Sequence, residues 1–211
     1  MSLNDGSANA PAGTPQLPNL LNGFAVRPPW EVAGVNYAVG VPAGTTLQDW
    51  ETISQPGVSV NVAANTVTIT GNNVTLNDID FSLHGGAQLI INGSNDVVSN
   101  SNFVYGPSMT NDISLIAGSG SNVTIKDDTL NGNGPALGSA TANQTSLITG
   151  RFTGTTTVEY NLMENFNQHA LEMNGSGGLN YEYNLIENGG SGAPGAHLNY
   201  LQFGEIGRAH V

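Results

Sequence analysis

The chain of 211 residues carries 16 Asp and Glu against four Lys and Arg, a formal net charge of −12, and no cysteine. Phosphate-backbone binding needs clustered cations, so nucleic acid is excluded as a partner. A disulfide framework and thiolate-held metal are excluded too, and no apolar run is long enough for a membrane span.

Only 9% of residues are charged, while 28 are Gly. Together with abundant Asn, Thr and Ser, this suits an all-β protein with many tight turns, where Gly and Asn accept positive φ at low cost. Residues 1–29 are rich in Ala, Pro and Gly and read as a flexible lead-in. They contain no charged n-region followed by an apolar core of the kind a classical signal peptide has. Residues 30–57 begin with alternating apolar positions at Trp30, Val32, Val35, Tyr37, Val39 and Val41. We expect this segment to be an N-terminal cap over the first turn of a repeating region that begins at residue 58, because solenoids need their open ends covered.

From residue 58 to 204 the chain repeats itself. "EYNLMEN" at Glu159–Asn165 returns as "EYNLIEN" at Glu182–Asn188, and five stretches align loosely: 65–81, 88–103, 114–130, 146–165 and 170–188, with a sixth beginning at 197. Each is a short apolar strand, a corner glycine, a second short strand and an Asn- or Asp-rich turn. The corner glycines are Gly71, Gly93, Gly118, Gly150, Gly175 and Gly204. Their spacing leaves room for about three short strands per repeat, which is a coil of stacked rungs. Asn161 is then expected above Asn184, and Asn165 above Asn188, in side-chain amide ladders.

These stretches resemble the right-handed parallel β-helix proteins of the pectate-lyase-like superfamily, over about Val58 to Gly204. The resemblance implies an all-β, right-handed parallel β-helix. It leaves activity open, because that superfamily includes polysaccharide lyases, glycoside hydrolases, phage tailspikes and non-catalytic adhesins. A β-sandwich or another solenoid is the alternative fold. The last seven residues, Glu205–Val211, read back into codons as the start of a sequencing adapter. We expect them to be an artefact and the coding sequence to continue beyond Gly204. Arg208 and His210 are therefore set aside as site candidates.

On a coil of this kind, chemistry is expected where rungs differ, beside the longer turns at 82–87, 104–113, 131–145 and 189–196. The densest polar cluster lies in the last two rungs. Glu164 repeats as Glu187, and stacked carboxylates about 4.8 Å apart would repel, leaving one with a raised pKa suited to a general acid. A carboxylate pair is the machinery of glycoside hydrolysis. Glu172 is on the parity opposite Leu171 and Met173 and is expected outward. The catalytic candidates are thus Glu164, Glu172 and Glu187, helped by His169 and His197. Both histidines also fit a core-corner role, hydrogen-bonded to backbone. Tyr160, Tyr183, Tyr200 and Gln202 are candidates for holding sugar, with Tyr181 in the same group.

Ca2+ is a candidate cofactor at Asp127-Asp128; the alternative there is two exposed acids at a rung corner. Lys126 and Arg151 are the basic residues in the rungs and match no lyase motif. The expected function is binding of a neutral or weakly charged polysaccharide, extended to cleavage by the carboxylates, in a secreted or cell-surface protein. The alternative is a non-catalytic adhesin or structural module of a larger secreted protein.

Overall fold

The computed structural model describes residues 33–34, 37–109, 114–134, 146–189 and 199–204. The chain forms a parallel β-helix, a coil of stacked rungs whose strands fall into three sheets. Sheet I contains Thr66–Ile69, Gln88–Ile91, Ser114–Gly118, Ser146–Gly150, Leu171–Met173 and Leu201–Phe203, all parallel. Sheet II contains Thr75–Asn77, Val97–Ser99, Thr124–Lys126, Thr155–Glu159 and Gly178–Glu182. Sheet III contains Gln48–Asp49, Ile79–Asp80, Asn102–Val104, Thr129–Asn131, Leu162–Glu164 and Leu185–Glu187. One rung is a strand from each sheet in the order I, II, III, and a sixth rung begins at Leu201.

The strands alternate because each has one face in the coil and one outside. Inward positions stack from rung to rung: Leu76, Val98, Ile125 and Val158 in sheet II, and Phe81, Phe103, Leu130 and Met163 beside sheet III, all buried. The Phe81 and Phe103 rings lie parallel with centroids 4.4 Å apart. Each such buried ring contributes about 1.5–3 kcal/mol of burial free energy.

The corner between sheets II and III is two residues long, its second place taken in the first rung by the strand residue Ile79, and carries the ladder the repeat foreshadows. The N–H of each rung's second corner residue is bound by the equivalent side chain one rung on. Ile79 N–H donates to Ser101 Oγ, Ser101 N–H to Asp128 Oδ1, Asp128 N–H to Asn161 Oδ1 and Asn161 N–H to Asn184 Oδ1, over 2.7–3.2 Å. Asn165 lies beneath Asn188, whose Nδ2 is 3.4 Å from its Oδ1.

Three expectations are corrected. The glycines at the corner after sheet I do not form the column the spacing suggests. The register puts Gly71, Gly93, Gly120, Phe152 and Gly175 in line, with Gly118 and Gly150 two residues earlier, opposite Ile91 and Met173. Gly93 and Gly175 must lack a side chain because a Cβ there would enter the carbonyl of the rung before it, a close approach that loop length alone does not reveal. Second, Val58–Asn61 is not part of a rung; it pairs antiparallel with Thr66–Ile69 and ends sheet I.

Third, the cap is divided. Trp50 is fully buried at the first rung, its indole N–H donating to Leu83 O at 3.1 Å, and Gln48–Asp49 pairs with Ile79–Asp80. The residues before it instead lie against sheet III at the later rungs. Gly40 N–H donates to Tyr160 O at 2.8 Å, and Val41 N–H to Thr129 Oγ1 at 3.1 Å. Gly40 has φ +74° and packs so tightly on Leu162 and Thr129 that a side chain would not fit. The outer column of sheet III changes from Asn102 and Thr129 to Leu162 and Leu185, and these are the side chains that Gly40 and Gly34 approach. Trp30, Val32 and Val35 lie outside the described residues.

Candidate functional site

The outward column of sheet I decides where polar chemistry gathers. That column runs Thr68, Ile90, Ala117, Thr149, Glu172, Gln202, so it turns polar from the fourth rung on. Glu172 stands half-buried between buried Leu171 and Met173, which is the outward parity. Its Oε1 accepts from Asn174 Nδ2 at 2.9 Å, and Gln202 is its register partner one rung on. Thr149 Oγ1, beside Glu172, has no hydrogen-bond partner.

Asn174 leads into an open recess of about 610 Å³ at the corner between sheets I and II, lined by Arg151, Thr153, Asn174, Gly175, Ser176 and Gly204. Arg151, Thr153 and Ser176 are exposed. The guanidinium, carboxamide and hydroxyls of this recess and the Glu172 carboxylate thus form one continuous polar surface. Tyr200 stands just ahead of the strand entering the sixth rung, 54% exposed, with its ring edge-on to Phe166 at 6.1 Å.

Glu164 and Glu187 are register partners on the outer face of sheet III. Glu164 is half-buried and Glu187 exposed. Asn131, one rung earlier in the same column, donates Nδ2–H to Glu164 Oε1 at 2.9 Å. This pair and Glu172 belong to different sheets, with the turn 165–170 between them, so the three carboxylates do not make one constellation. His169 is buried in that turn, its Nδ1 2.9 Å from Asn199 O, and is held as a structural corner residue. His197 lies outside the described residues.

Tyr160 and Tyr183 occupy the first position of the sheet II–III corner, with rings parallel and centroids 5.0 Å apart. Tyr37 meets both edge-on, at 5.7 and 5.5 Å. One face of the platform is therefore shared with the chain's own Tyr37, and Tyr183 remains 43% exposed. Tyr181 does not belong to this surface: it packs against the core, its OH 3.3 Å from Met163 Sδ, and burial pushes its phenol pKa up.

The reading of Asp127-Asp128 as two exposed acids is overturned. Asp127 sits at φ +56°, but Asp128 is fully buried in the ladder. Consecutive corner residues diverge, so the two carboxylates do not converge on a cation. Among the described residues no group of three His, Asp or Glu is placed to hold a metal. Two features escaped the sequence. The recess escaped because its residues come from three rungs, though an arginine one residue past a strand end in so acidic a chain was a usable signal. The ion pair of His84 with Asp49 at 2.7 Å, with Glu51 at 3.9 Å, joins the cap to the first rung across 35 positions that no motif connects.

No family model, no curated protein and no solved structure matches the chain.

Proposed function

We propose that this protein binds a polysaccharide laid across its last rungs, on the flank formed by Glu172, Gln202 and the recess at Arg151. The observation that carries this reading is the recess itself: about 610 Å³, open, and lined by a guanidinium, a carboxamide and two hydroxyls. It continues into the Glu172–Gln202 pair, and Tyr200, just ahead of the last strand, is exposed. Sugars are held by such convergent polar groups around a shallow concavity with an aromatic nearby. A place in the right-handed, pectate-lyase-like superfamily, and a site outside the cell, belong to the same proposal; the three parallel sheets and the low charge support them.

Binding is favoured over cleavage. Glu164 and Glu187 are spaced by one rung, about 4.8 Å, near the separation a retaining glycosidase uses. Both leave the same face of one sheet in the same direction, so they do not flank a bond, and the buried His169 is not beside them.

The test is affinity electrophoresis and calorimetry against a panel of neutral and acidic polysaccharides. Arg151→Ala is expected to weaken binding at least tenfold, roughly the 1.4 kcal/mol of one charge-assisted hydrogen bond, and Gln202→Ala by a smaller factor, about the 0.5–1.5 kcal/mol of a neutral one, while Glu164→Gln leaves it unchanged. Failure of every polysaccharide to bind, or equal loss in all three variants, would overturn the reading. A second reading is a non-catalytic adhesive or assembly module of a larger protein.

A further inference from the structure

The ladder between sheets II and III contains one residue that breaks its chemistry. In Asn161 the side chain uses both ends: Oδ1 accepts from Asp128 N–H, and Nδ2 donates to Ile125 O at 3.0 Å and to Asn184 Oδ1. Asn184 repeats this one rung on, its Nδ2 donating to Val158 O at 2.8 Å. Val158, Ile125 and Val98 are register equivalents. Asp128 fills the same place on the third rung. Its Oδ1 accepts from Ser101 N–H at 2.7 Å, but Oδ2, which stands where an asparagine would present its donating nitrogen, is buried and has no partner. A carboxylate has only acceptors, so an ionised Asp128 would turn a bare oxygen on the carbonyl its neighbours donate to.

We propose that Asp128 closes the third-rung corner as a neutral carboxylic acid, its Oδ2–H donating to Val98 O, so that the coil is held most tightly in acid and loosens as pH rises.

The surroundings favour the neutral form. Burial pushes the carboxyl well above the ordinary carboxylate range; Ser101 N–H and, less, the Lys126 backbone N–H pull the other way, and the charge of Asp127 raises it further. The ionisable groups on the packed elements are Lys126 and Asp127 on its own rung and Glu159 and Tyr160 on the fourth. The second rung offers Ser99, Asn100, Ser101 and Asn102 at this corner and carries Asp96 just ahead of its sheet II strand. Inside the coil it meets apolar rungs such as Ile125 and Leu130. Asp96 on the second rung repeats the arrangement: it is buried, Oδ1 accepts from Val74 N–H at 2.9 Å, Oδ2 is unpartnered, and burial raises its pKa.

The sign follows from linkage. A carboxyl whose folded pKa is raised is fully compatible with folding below its unfolded pKa. Above that value the unfolded chain releases a proton that the folded chain keeps, so stability falls until the folded pKa is passed. Each such acid lowers the folding constant by up to tenfold per pH unit in that window.

Two measurements test the proposal. Carboxyl-carbon NMR of the intact chain, titrated from pH 3 to 8, is expected to show Asp128 Cγ keeping the shift of a protonated acid to pH values above the ordinary carboxylate range. Asp128 ionising within the ordinary carboxylate range would overturn it. Urea unfolding at pH 4 and pH 7 is expected to show Asp128→Asn nearly equal to the parent at pH 4 and at least tenfold more stable at pH 7. Equal effects at both pH values would contradict it. A variant that does not fold leaves the NMR titration of the parent chain to decide.

Discussion

At the corner between sheets II and III, the first three rungs and the last two meet the same backbone demand with different residues. Asp78, Asn100 and Asp127 take the left-handed conformation there, with φ of 59°, 51° and 56°, and so do Tyr160 and Tyr183, with φ of 56° and 58°. Short polar residues tolerate that conformation because their side chains bond locally. A tyrosine does not, and the strain is on the order of 1–3 kcal/mol each. The coil imposes the bend, and the late rungs accept a poor residue for it because the rings stack on one another and on Tyr37. The early rungs meet the bend with residues suited to it, and the late ones with aromatic stacking.

The largest effect sharpening this contrast is expected in the core. Phe103→Ala removes a fully buried stacked ring and should cost about 3–5 kcal/mol, whereas Leu201→Ala on the exposed last strand should cost under about 1 kcal/mol. Chemical denaturation of both variants checks this, and equal costs would remove the distinction between the two ends. Next comes the ladder. Asn161→Ala leaves the buried Asp128 N–H without an acceptor and should cost about 1–3 kcal/mol, more than Asn184→Ala, whose site is partly open.

Smaller effects are expected at the left-handed corner. Asn100→Tyr should destabilise by about 1–3 kcal/mol, because no ring is present to stack on. Tyr160→Asn should stay within about 1 kcal/mol of the parent, strain relief offsetting the lost stacking. Thermal midpoints of the two variants read this asymmetry directly.

The smallest effect is at the cap. Hydrogen bonding to Asp49 raises the His84 pKa, and that same bond, with Glu51 N–H, lowers that of Asp49. The His84 contribution is complete below the ordinary imidazole pKa and is lost as pH rises through the raised folded value. That of Asp49 is present above the ordinary carboxylate pKa and is lost as pH falls through the lowered one. His84→Gln should therefore flatten a shallow fall in stability as pH rises from the ordinary imidazole pKa through the raised folded value, a small change because the pair is largely exposed.

The coil was legible because its signal is periodic. "EYNLMEN" and "EYNLIEN" give the rung length and the Asn161–Asn184 contact, and the apolar Leu171 and Met173 give the parity of Glu172. Register was less so. Gly118 and Gly120 sit two residues apart, and choosing between them needs the backbone contacts that only stacking creates. Burial at the corner was misread at Asp128, since nothing in "KDD" says which acid turns inward. The path of Tyr37–Val41 was not legible at all: alternation announces an extended segment but not the surface it lies on. The outward parity of the carboxylates was readable, yet their distribution over two sheets depends on the turn after Glu164, whose length alone does not give its direction.

The most direct test of the account uses the absence of cysteine. A double variant, Glu164→Cys with Glu187→Cys, places two thiols on register-paired outward positions one rung apart, within the Cα separation a disulfide accepts. Mild oxidation should close it nearly completely, while Glu164→Cys with Glu182→Cys should remain reduced, because position 182 belongs to sheet II. Closure of the second pair in preference to the first would contradict the rung register on which the corner ladder and the proposed binding flank both depend.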